Sequence, residues 1–142
     1  MRKRSRTDAP ERLDIALALP LRENRVLVGR RRPGEHLEGL WEFPGGKVAA
    51  GEEPAAAARR ELAEETGLVA DRLEPLIVVL YDYPELPLRF HVFLCRDPLG
   101  EPRADPARPL TWKTYEELLE LEMPPANRQM LNALGWRLGE IG

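Results

Sequence analysis

Cysteine is almost absent from this sequence, with Cys95 as its single example in 142 residues. One thiol excludes an internal disulfide, and no second Cys or paired His stands at the spacing of a zinc site. Cys95 ends an apolar run, so we expect a buried thiol that packs like a small hydrophobic side chain. The fold must therefore be stabilised by core packing and hydrogen bonds.

Long hydrophobic runs and an excess of basic charge are also missing. No apolar stretch approaches the roughly 20 residues that cross a bilayer, and the basic amino terminus lacks the apolar segment of a signal peptide. The net charge of −3 argues against broad nucleic-acid binding, which generally needs a basic surface. We expect a cytoplasmic protein with a small-molecule partner, no membrane and no stable nucleic-acid partner. Monomer and homodimer both remain open.

The length and the 43% hydrophobic content suit one domain. Residues 1–12 open on a charged stretch without apolar periodicity and are predicted to form a mobile tail, whereas residues 13–142 form the domain. Two apolar runs, 14–21 and 25–31, flank a short polar connection. That pattern predicts a β-hairpin.

A helix is predicted over residues 53–66, because Pro54 suits a first helical turn and Gly67 is placed to end the helix. Before it, residues 41–43 are predicted to form a short strand, and residues 44–51 a glycine-rich loop. The acidic segment 61–65 therefore lies on a helix that follows this loop directly.

The second half of the chain continues with strands and then helices. Strands are predicted at 76–81, 88–95 and 110–113, and helices at 114–121 and 126–138. In the last helix an apolar stripe is predicted to face the core: Met130, Leu131, Leu134 and Leu138. His91 lies on an apolar run and is expected to be a hydrogen-bonded core histidine. The order predicts an α/β or α+β domain, with a mixed sheet flanked by helices.

Three carboxylates share one face of the predicted helix, since Glu61, Glu64 and Glu65 stand at i, i+3 and i+4. Like charges at this spacing repel, so the strip requires either solvent or a cation. The preceding loop carries Lys47 beside two glycines whose amides could approach oxyanions closely. Magnesium favours a few carboxylates supplemented by phosphate oxygens and water. Loop and helix together predict a metal–pyrophosphate site.

This segment resembles the signature of the Nudix hydrolase family, which reads Gly, five residues, Glu, seven residues, then Arg-Glu-aliphatic-x-Glu-Glu-x-Gly-aliphatic. The nine specified positions are all present: Gly46, Glu52, Arg60, Glu61, Leu62, Glu64, Glu65, Gly67 and Leu68. The resemblance implies the Nudix fold, in which a mixed sheet lies between helices. It also implies Mg²⁺, with Mn²⁺ as an alternative, and cleavage of a phosphoanhydride.

The resemblance also implies individual roles. Glu61, Glu64 and Glu65 would be catalytic and would bind the metal, with Gly45 as a further metal ligand. Arg60 would orient or neutralise its acidic neighbours and belongs to the catalytic set. Glu52 has two interpretations, a structural one and a catalytic one.

The residues around the signature are similar to the MutT branch of the family, which hydrolyses 8-oxo-dGTP to a monophosphate and pyrophosphate. The similarity covers the run 40–47 and the segment 124–127, which would present a base-reading asparagine, Asn127. The residues expected to contact substrate are Arg31, His36, Phe43, Pro44, Gly46, Lys47 and Asn127. An amide offers an acceptor and a donor side by side, as an 8-oxoguanine edge requires. Capping of the last helix is the alternative role for Asn127.

The sequence departs from the MutT pattern in the loop before the last strand. Pro106 stands where related chains place an acid, so either the adjacent Asp105 supplies a further carboxylate or Glu64 acts as general base without it. Two rival functions remain. One is a Nudix hydrolase of CTP, ADP-ribose or a dinucleoside polyphosphate, and Pro84, sixteen residues beyond the signature, discriminates poorly among these. The other is a non-catalytic nucleotide-binding Nudix module, against which the intact glutamates argue.

Overall fold

Seven strands and three helices form the part of the chain that the structure describes, which is residues 11–84 and 86–141 of a computed structural model. In chain order they are β1 (Leu13–Arg22), β2 (Arg25–Arg30), β3 (Trp41–Glu42), β4 (Gly45–Lys47), α1 (Pro54–Thr66), β5 (Arg72–Tyr83), β6 (Leu86–Arg96), β7 (Leu110–Lys113), α2 (Tyr115–Leu119) and α3 (Asn127–Leu138). Among the described residues, no helix combines the length and apolar character needed to cross a membrane.

The predicted tail lies almost wholly outside the described residues, as does Gly142 at the other end. Arg12 is described, although the prediction assigned it to the tail. Its guanidinium donates to a carboxylate oxygen of Asp82 at 2.7 Å and to the Leu88 carbonyl at 3.1 Å. Arg12 is therefore attached to the sheet.

All seven strands belong to one mixed sheet, with the order β3-β2-β1-β6-β5, while β4 pairs with β1 and β7 pairs with β2. The central pair, β1 and β6, is parallel, with Leu17 opposite Val92, and the other pairs are antiparallel. The predicted mixed sheet is confirmed.

The two faces of β1 explain why helices cover both sides of this sheet. Ala16 and Ala18 contribute to a core cluster with α1, where their small side chains meet Leu62. Leu17 and Leu19 alternate with them along the strand and contribute to the other cluster, with α2 and α3. The predicted sheet sandwiched between helices is therefore confirmed.

The first hairpin forms where it was predicted. Glu23 and Asn24 make its turn with φ of 50° and 63°, the left-handed conformation that suits the twist of paired strands. Further along, β5 begins before its predicted start, because Pro75 is accommodated at a register shift on an edge strand.

Helix α1 spans almost exactly the predicted residues. Pro54 occupies its first turn, and Gly67 ends it with φ 81°, a conformation that is costly for any residue with a Cβ. Helix α2 is shorter than predicted, although Thr114 and Glu117 form a reciprocal capping box at its start.

The prediction of a loop over residues 44–51 was wrong at its start, because β4 pairs antiparallel with β1 there. A Cβ on Gly45 would collide with the Ala16 carbonyl oxygen and with Leu17. Glycine thus permits the close backbone pairing that its usual loop preference argued against. As a result, the residues before α1 are fixed to the central sheet.

The prediction of a buried Cys95 is confirmed, whereas the prediction of a hydrogen-bonded core histidine at His91 is confirmed only in its hydrogen bond, because His91 belongs to neither core cluster. Cys95 is fully buried, and burial raises the pKa of its thiol to about 11, so it is unreactive at neutral pH. His91 is partly buried, and its Nε2 lies 2.8 Å from a carboxylate oxygen of Asp14. This contact is the main cause of the lowered pKa of Asp14.

Candidate active site

The Glu61 carboxylate packs directly on the backbone of Gly46. A Cβ added to Gly46 would lie 2.6 to 2.7 Å from the three carboxyl atoms of Glu61. No side chain fits into that space, so glycine is required if Glu61 is to approach the strand. Only 17% of the Glu61 side chain is exposed.

Glu65 is the other carboxylate that faces this strand. One of its oxygens accepts the Gly45 N–H at 3.2 Å, and the other accepts a guanidinium N–H of Arg108 at 2.8 Å. Burial raises the pKa of Glu65 to about 7, although the charge of Arg108 and the Gly45 amide both oppose that shift. The carboxylate therefore lies in a place that disfavours its own charge even with the Arg108 guanidinium 2.8 Å away.

Arg60 connects the acidic residues of the site. It makes a two-pronged contact with Glu52, at 2.9 and 3.0 Å, and reaches Glu61 at 2.9 Å and Glu64 at 3.4 Å. A further N–H donates to the Lys47 carbonyl at 3.1 Å. Hydrogen bonds from Arg60 lower the pKa of Glu52 to about 2. The geometry thus agrees with the structural interpretation of Glu52 and with an orienting role for Arg60.

Glu64 differs from its two neighbours in its exposure. Its side chain is 58% exposed, and Arg60 at 3.4 Å is its ion-pair partner. The Glu64 carboxylate is therefore open to solvent and only weakly held. The three predicted glutamates therefore share one helix but have different surroundings.

No three acidic, histidine or cysteine side chains of the described residues form a group that could hold a metal ion as they stand. Instead, Arg60 contacts a carboxylate oxygen of Glu61, and Arg108 contacts one of Glu65. The donor set nevertheless fits a hard divalent cation, since two mostly buried carboxylates and one exposed carboxylate supply only oxygen ligands.

A cavity of about 330 Å³ lies beside this acidic helix. It contains the Gly45–Lys47 strand and six of the seven residues predicted to contact substrate: Arg31, His36, Phe43, Gly46, Lys47 and Asn127. Glu42, Tyr83 and Pro124 also line the cavity, and apolar side chains form the rest of the wall: Ile15, Leu17, Leu37, Leu86, Leu88 and Phe90. Its size and apolar character suit a small organic ligand with a few polar anchors.

Pro44 is the predicted substrate residue that does not line the cavity. It is buried, and its carbonyl accepts the Ala18 N–H at 2.9 Å. Phe43 does line the cavity, but it is only 2% exposed and belongs to the main core cluster. Phe43 therefore supports the wall from within the fold.

Asn127 is only 5% exposed and lines the cavity at the start of α3. The cap position belongs to Ala126, and no side chain caps this helix, so the capping alternative for Asn127 was wrong. Its amide nitrogen instead donates to the Met123 sulfur at 3.5 Å, which is a weak acceptor. A buried amide that is poorly satisfied within the protein favours a polar ligand.

Tyr83 is a cavity residue that the sequence did not reveal, because it lies between the two predicted strands, 76–81 and 88–95. Its ring meets His36 edge to face, with centroids 6.2 Å apart, and His36 itself is exposed. Burial raises the pKa of the Tyr83 hydroxyl, and a backbone hydrogen bond with Ala126 opposes the shift. Tyr83 thus links the loop that carries His36 to the start of α3.

Arg31 reaches the cavity while bound to other residues. Its guanidinium donates to a Glu42 oxygen at 2.6 Å and to the His36 carbonyl at 2.5 Å, and it lies 3.5 Å from a Glu35 oxygen. Glu42 was not predicted as a site residue, since a single acid in a short strand gives no signal. These contacts fix the guanidinium beside the cavity.

Asp105, the predicted extra acid, faces a different partner. One of its oxygens accepts from Arg32 at 3.1 Å, and the other accepts the Ala107 N–H at 2.9 Å. From the same loop, Arg108 enters the acidic site and contacts Glu65 and Glu42. A positive side chain therefore approaches the glutamates from the loop in which an acid was expected.

Comparison with known proteins agrees with this arrangement. The NUDIX domain family model matches residues 11–134. An 8-oxo-dGTP diphosphatase of Buchnera aphidicola is 33% identical over 80% of this chain and 90% of its own length. A CTP pyrophosphohydrolase of Escherichia coli is 30% identical over 85% of this chain and 90% of its own length.

A similar structure has also been solved. The crystal structure of a MutT NUDIX hydrolase from Burkholderia pseudomallei superposes with a TM-score of 0.77 and 29% identity, over 87% of this chain and 98% of that one. The family match, the relatives and the shared fold cover the sheet, the acidic helix and the cavity. This chain is therefore a MutT-like hydrolase of the Nudix family.

Proposed function

We propose that this protein hydrolyses a nucleoside triphosphate to a monophosphate and pyrophosphate with a divalent metal ion, and that oxidised guanine nucleotides are its preferred substrates. One observation carries the proposal. A single cavity contains the buried Asn127 amide and also the Gly45–Lys47 strand, whose backbone contacts Glu61 and Glu65. A base and its phosphates could therefore be bound together beside the acidic helix.

Different residues of the chain are proposed to bind the phosphates and the metal ion. Lys47 and Arg31 would bind phosphate oxygens from the cavity wall. Glu61, Glu64 and Glu65, with Gly45, would hold Mg²⁺ or Mn²⁺. Such an ion, when bound, neutralises phosphate charge and makes water a better nucleophile.

Glu64 is the proposed proton acceptor for the attacking water, because it is the exposed member of the three glutamates. Arg60 would keep Glu61 and Glu64 oriented. By resemblance to the family, the attack is proposed to occur at the β-phosphorus. Asp105 has no part in this proposal, since Arg32 and the Ala107 amide occupy both of its oxygens.

Base selection is proposed to depend on the Asn127 amide. Its oxygen and nitrogen can satisfy the protonated N7 and the O6 of 8-oxoguanine together. Ordinary guanine has acceptors at both places, so the amide oxygen would stay unpaired at a cost of about 1 to 3 kcal/mol. That penalty amounts to about 5- to 150-fold in discrimination.

The test compares two asparagines of the same helix. Pyrophosphate release with Mg²⁺ is measured from 8-oxo-dGTP, dGTP, CTP and ADP-ribose for wild type, Asn127→Ala and Asn132→Ala. Asn132 is exposed on α3 and does not line the cavity. We expect a preference for 8-oxo-dGTP that falls at least about fivefold in Asn127→Ala and is kept in Asn132→Ala. An unchanged preference in both variants would remove Asn127 from base selection.

CTP is the second candidate substrate, because one relative of this chain is named a CTP pyrophosphohydrolase. A cytosine edge also offers a donor beside an acceptor, so the same amide could bind it. A preference for CTP over 8-oxo-dGTP in the same assay would keep the hydrolytic chemistry and change the substrate.

Gly46→Ala tests the close approach of Glu61. The added Cβ would meet the carboxyl group, which is the movable end of a flexible side chain, so the carboxylate would shift while the fold is kept. We expect turnover to fall at least about tenfold. The double variant Gly46→Ala/Glu61→Asp, with a shorter acid, should recover part of the loss. If the single variant hydrolyses nucleotide at the wild-type rate, Glu61 does not act from the position observed.

A further inference from the structure

Arg108 lies between two carboxylates at the edge of the acidic site. Its guanidinium bonds to Glu65 at 2.8 Å and to Glu42 at 2.6 Å, and only 14% of the arginine side chain is exposed. The two carboxylate side chains are 16% and 20% exposed. The contact joins the loop before β7 to helix α1 and strand β3.

We propose that Arg108 is a built-in cation of the metal site, which neutralises Glu42 and Glu65 in the metal-free protein and competes with the metal ion for Glu65. The inference rests on the proposed function, because it takes Glu65 as a metal ligand. It makes Arg108 a positioning residue that lowers metal affinity and stabilises the metal-free fold.

Arg108 completes the hydrogen bonding of Glu65 and Glu42. Glu65 has its other oxygen on the Gly45 N–H, and Glu42 has its other oxygen on Arg31. All four oxygens are therefore satisfied without a metal. A planar guanidinium suits this role, because it can present separate N–H groups to two carboxylates at once.

The same arrangement leaves one hydrogen-bond donor of Arg108 unsatisfied. The Nε atom of Arg108 is buried and has no hydrogen-bond partner among the described residues. A buried donor without an acceptor is unfavourable. The guanidinium is thus held by its charge, and a stronger cation at Glu65 could displace part of its contact.

Electrostatic repulsion from Arg108 would also oppose metal binding at Glu65. A divalent ion bound by Glu65 would lie a few ångströms from the guanidinium in a poorly hydrated place, where like charges repel strongly. Removal of Arg108 would therefore strengthen metal binding, and it would leave two mostly buried carboxylates without their cation in the metal-free protein. Removal of Arg108 should thus raise metal affinity and lower the stability of the metal-free protein, and both quantities can be measured on the same variant.

The experiment titrates Mn²⁺ into metal-free protein and follows free Mn²⁺ by electron paramagnetic resonance, for wild type, Arg108→Met and Arg103→Met. Arg103 is the matched control, since it is an exposed arginine of the same loop that donates to the Glu64 carbonyl at 2.9 Å. Both variants lose one positive charge. We expect Arg108→Met to bind Mn²⁺ at least about tenfold more tightly than Arg103→Met.

Thermal unfolding in EDTA is the second readout. Without metal, Arg108→Met should have a lower melting temperature than Arg103→Met. Saturating Mn²⁺ should reduce this difference in melting temperature. Mn²⁺ binding by Arg108→Met that is equal to or weaker than binding by Arg103→Met would overturn the inference.

If Arg108→Met does not fold, Arg108→Lys replaces it, because one ammonium does not reproduce the two-carboxylate contact. This variant should bind Mn²⁺ at least about threefold more tightly than wild type, and an unchanged affinity would overturn the inference.

Wild-type behaviour separates this inference from the proposed function. Failure of the wild type to bind Mn²⁺ would contradict the metal site itself and, with it, the inference. Wild-type binding that is lost in Glu61→Gln but is the same in Arg108→Met and Arg103→Met would keep the metal site and contradict only the role of Arg108.

Discussion

Replacement of Glu64 by glutamine should lower turnover at least about 100-fold, the usual scale for loss of acid–base assistance. Glutamine cannot accept a proton from water at neutral pH and is a poorer metal ligand. The fold should be unaffected, because the side chain is 58% exposed and contacts Arg60 at 3.4 Å, a contact that a glutamine oxygen can keep. The rate of pyrophosphate release at saturating Mg²⁺ and nucleotide measures the effect.

Glu53→Gln is the matched control for this variant. Glu53 is exposed at the start of the same helix, where its side chain makes no capping hydrogen bond. The change removes the same charge and should leave turnover within about twofold of wild type, as is usual for surface substitutions. Near-normal turnover in Glu64→Gln would exclude Glu64 from the mechanism.

The metal-free protein should lose stability as pH rises through neutrality, because of Glu65. Burial, opposed by Arg108 and the Gly45 amide, raises the pKa of Glu65 to about 7 from an ordinary value of 4.5. The folded state therefore binds this proton more tightly than the unfolded state does. The bound proton contributes about 3 kcal/mol to the free energy of unfolding. This contribution is complete below about pH 4.5 and is lost as pH rises through about 7.

Glu65→Gln isolates this contribution, because glutamine does not titrate, although its single amide oxygen can accept from only one of the two present partners, Arg108 or the Gly45 N–H. Urea unfolding in EDTA between pH 4.5 and 8 should show wild type losing about 3 kcal/mol relative to the variant. Wild-type affinity for Mn²⁺ should rise over the same upper range, since metal and proton compete for the carboxylate. If the free energy of unfolding changed with pH in the same way for wild type and Glu65→Gln, Glu65 would have an ordinary pKa.

The sequence predicted those parts of the fold that depend on local signals. Helix α1 was located because Pro54 and Gly67 mark its ends, and the first hairpin because a polar connection separates two apolar runs. Each of these signals acts within a few residues, where sequence patterns are informative.

Features that depend on distant residues were missed. Strand β4 consists of glycines and a lysine, which normally indicate a loop, and its pairing with β1 depends on a close approach that only the fold reveals. Arg108 reaches Glu65 across 43 residues and Glu42 across 66. No local pattern distinguishes it from the other arginines of the chain. The loop departure at Pro106 was visible, but the arginine that enters the site was not.

The parallel pairing of β1 with β6 has a consequence for how the protein is made. Residue 13 pairs with residue 88 and residue 21 with residue 96, so the central strand lacks this neighbour until two thirds of the chain has left the ribosome. During that interval an apolar strand presents an unpaired edge, which invites association with other nascent chains. Co-translational chaperone binding should therefore protect the amino-terminal half more than the carboxy-terminal helices.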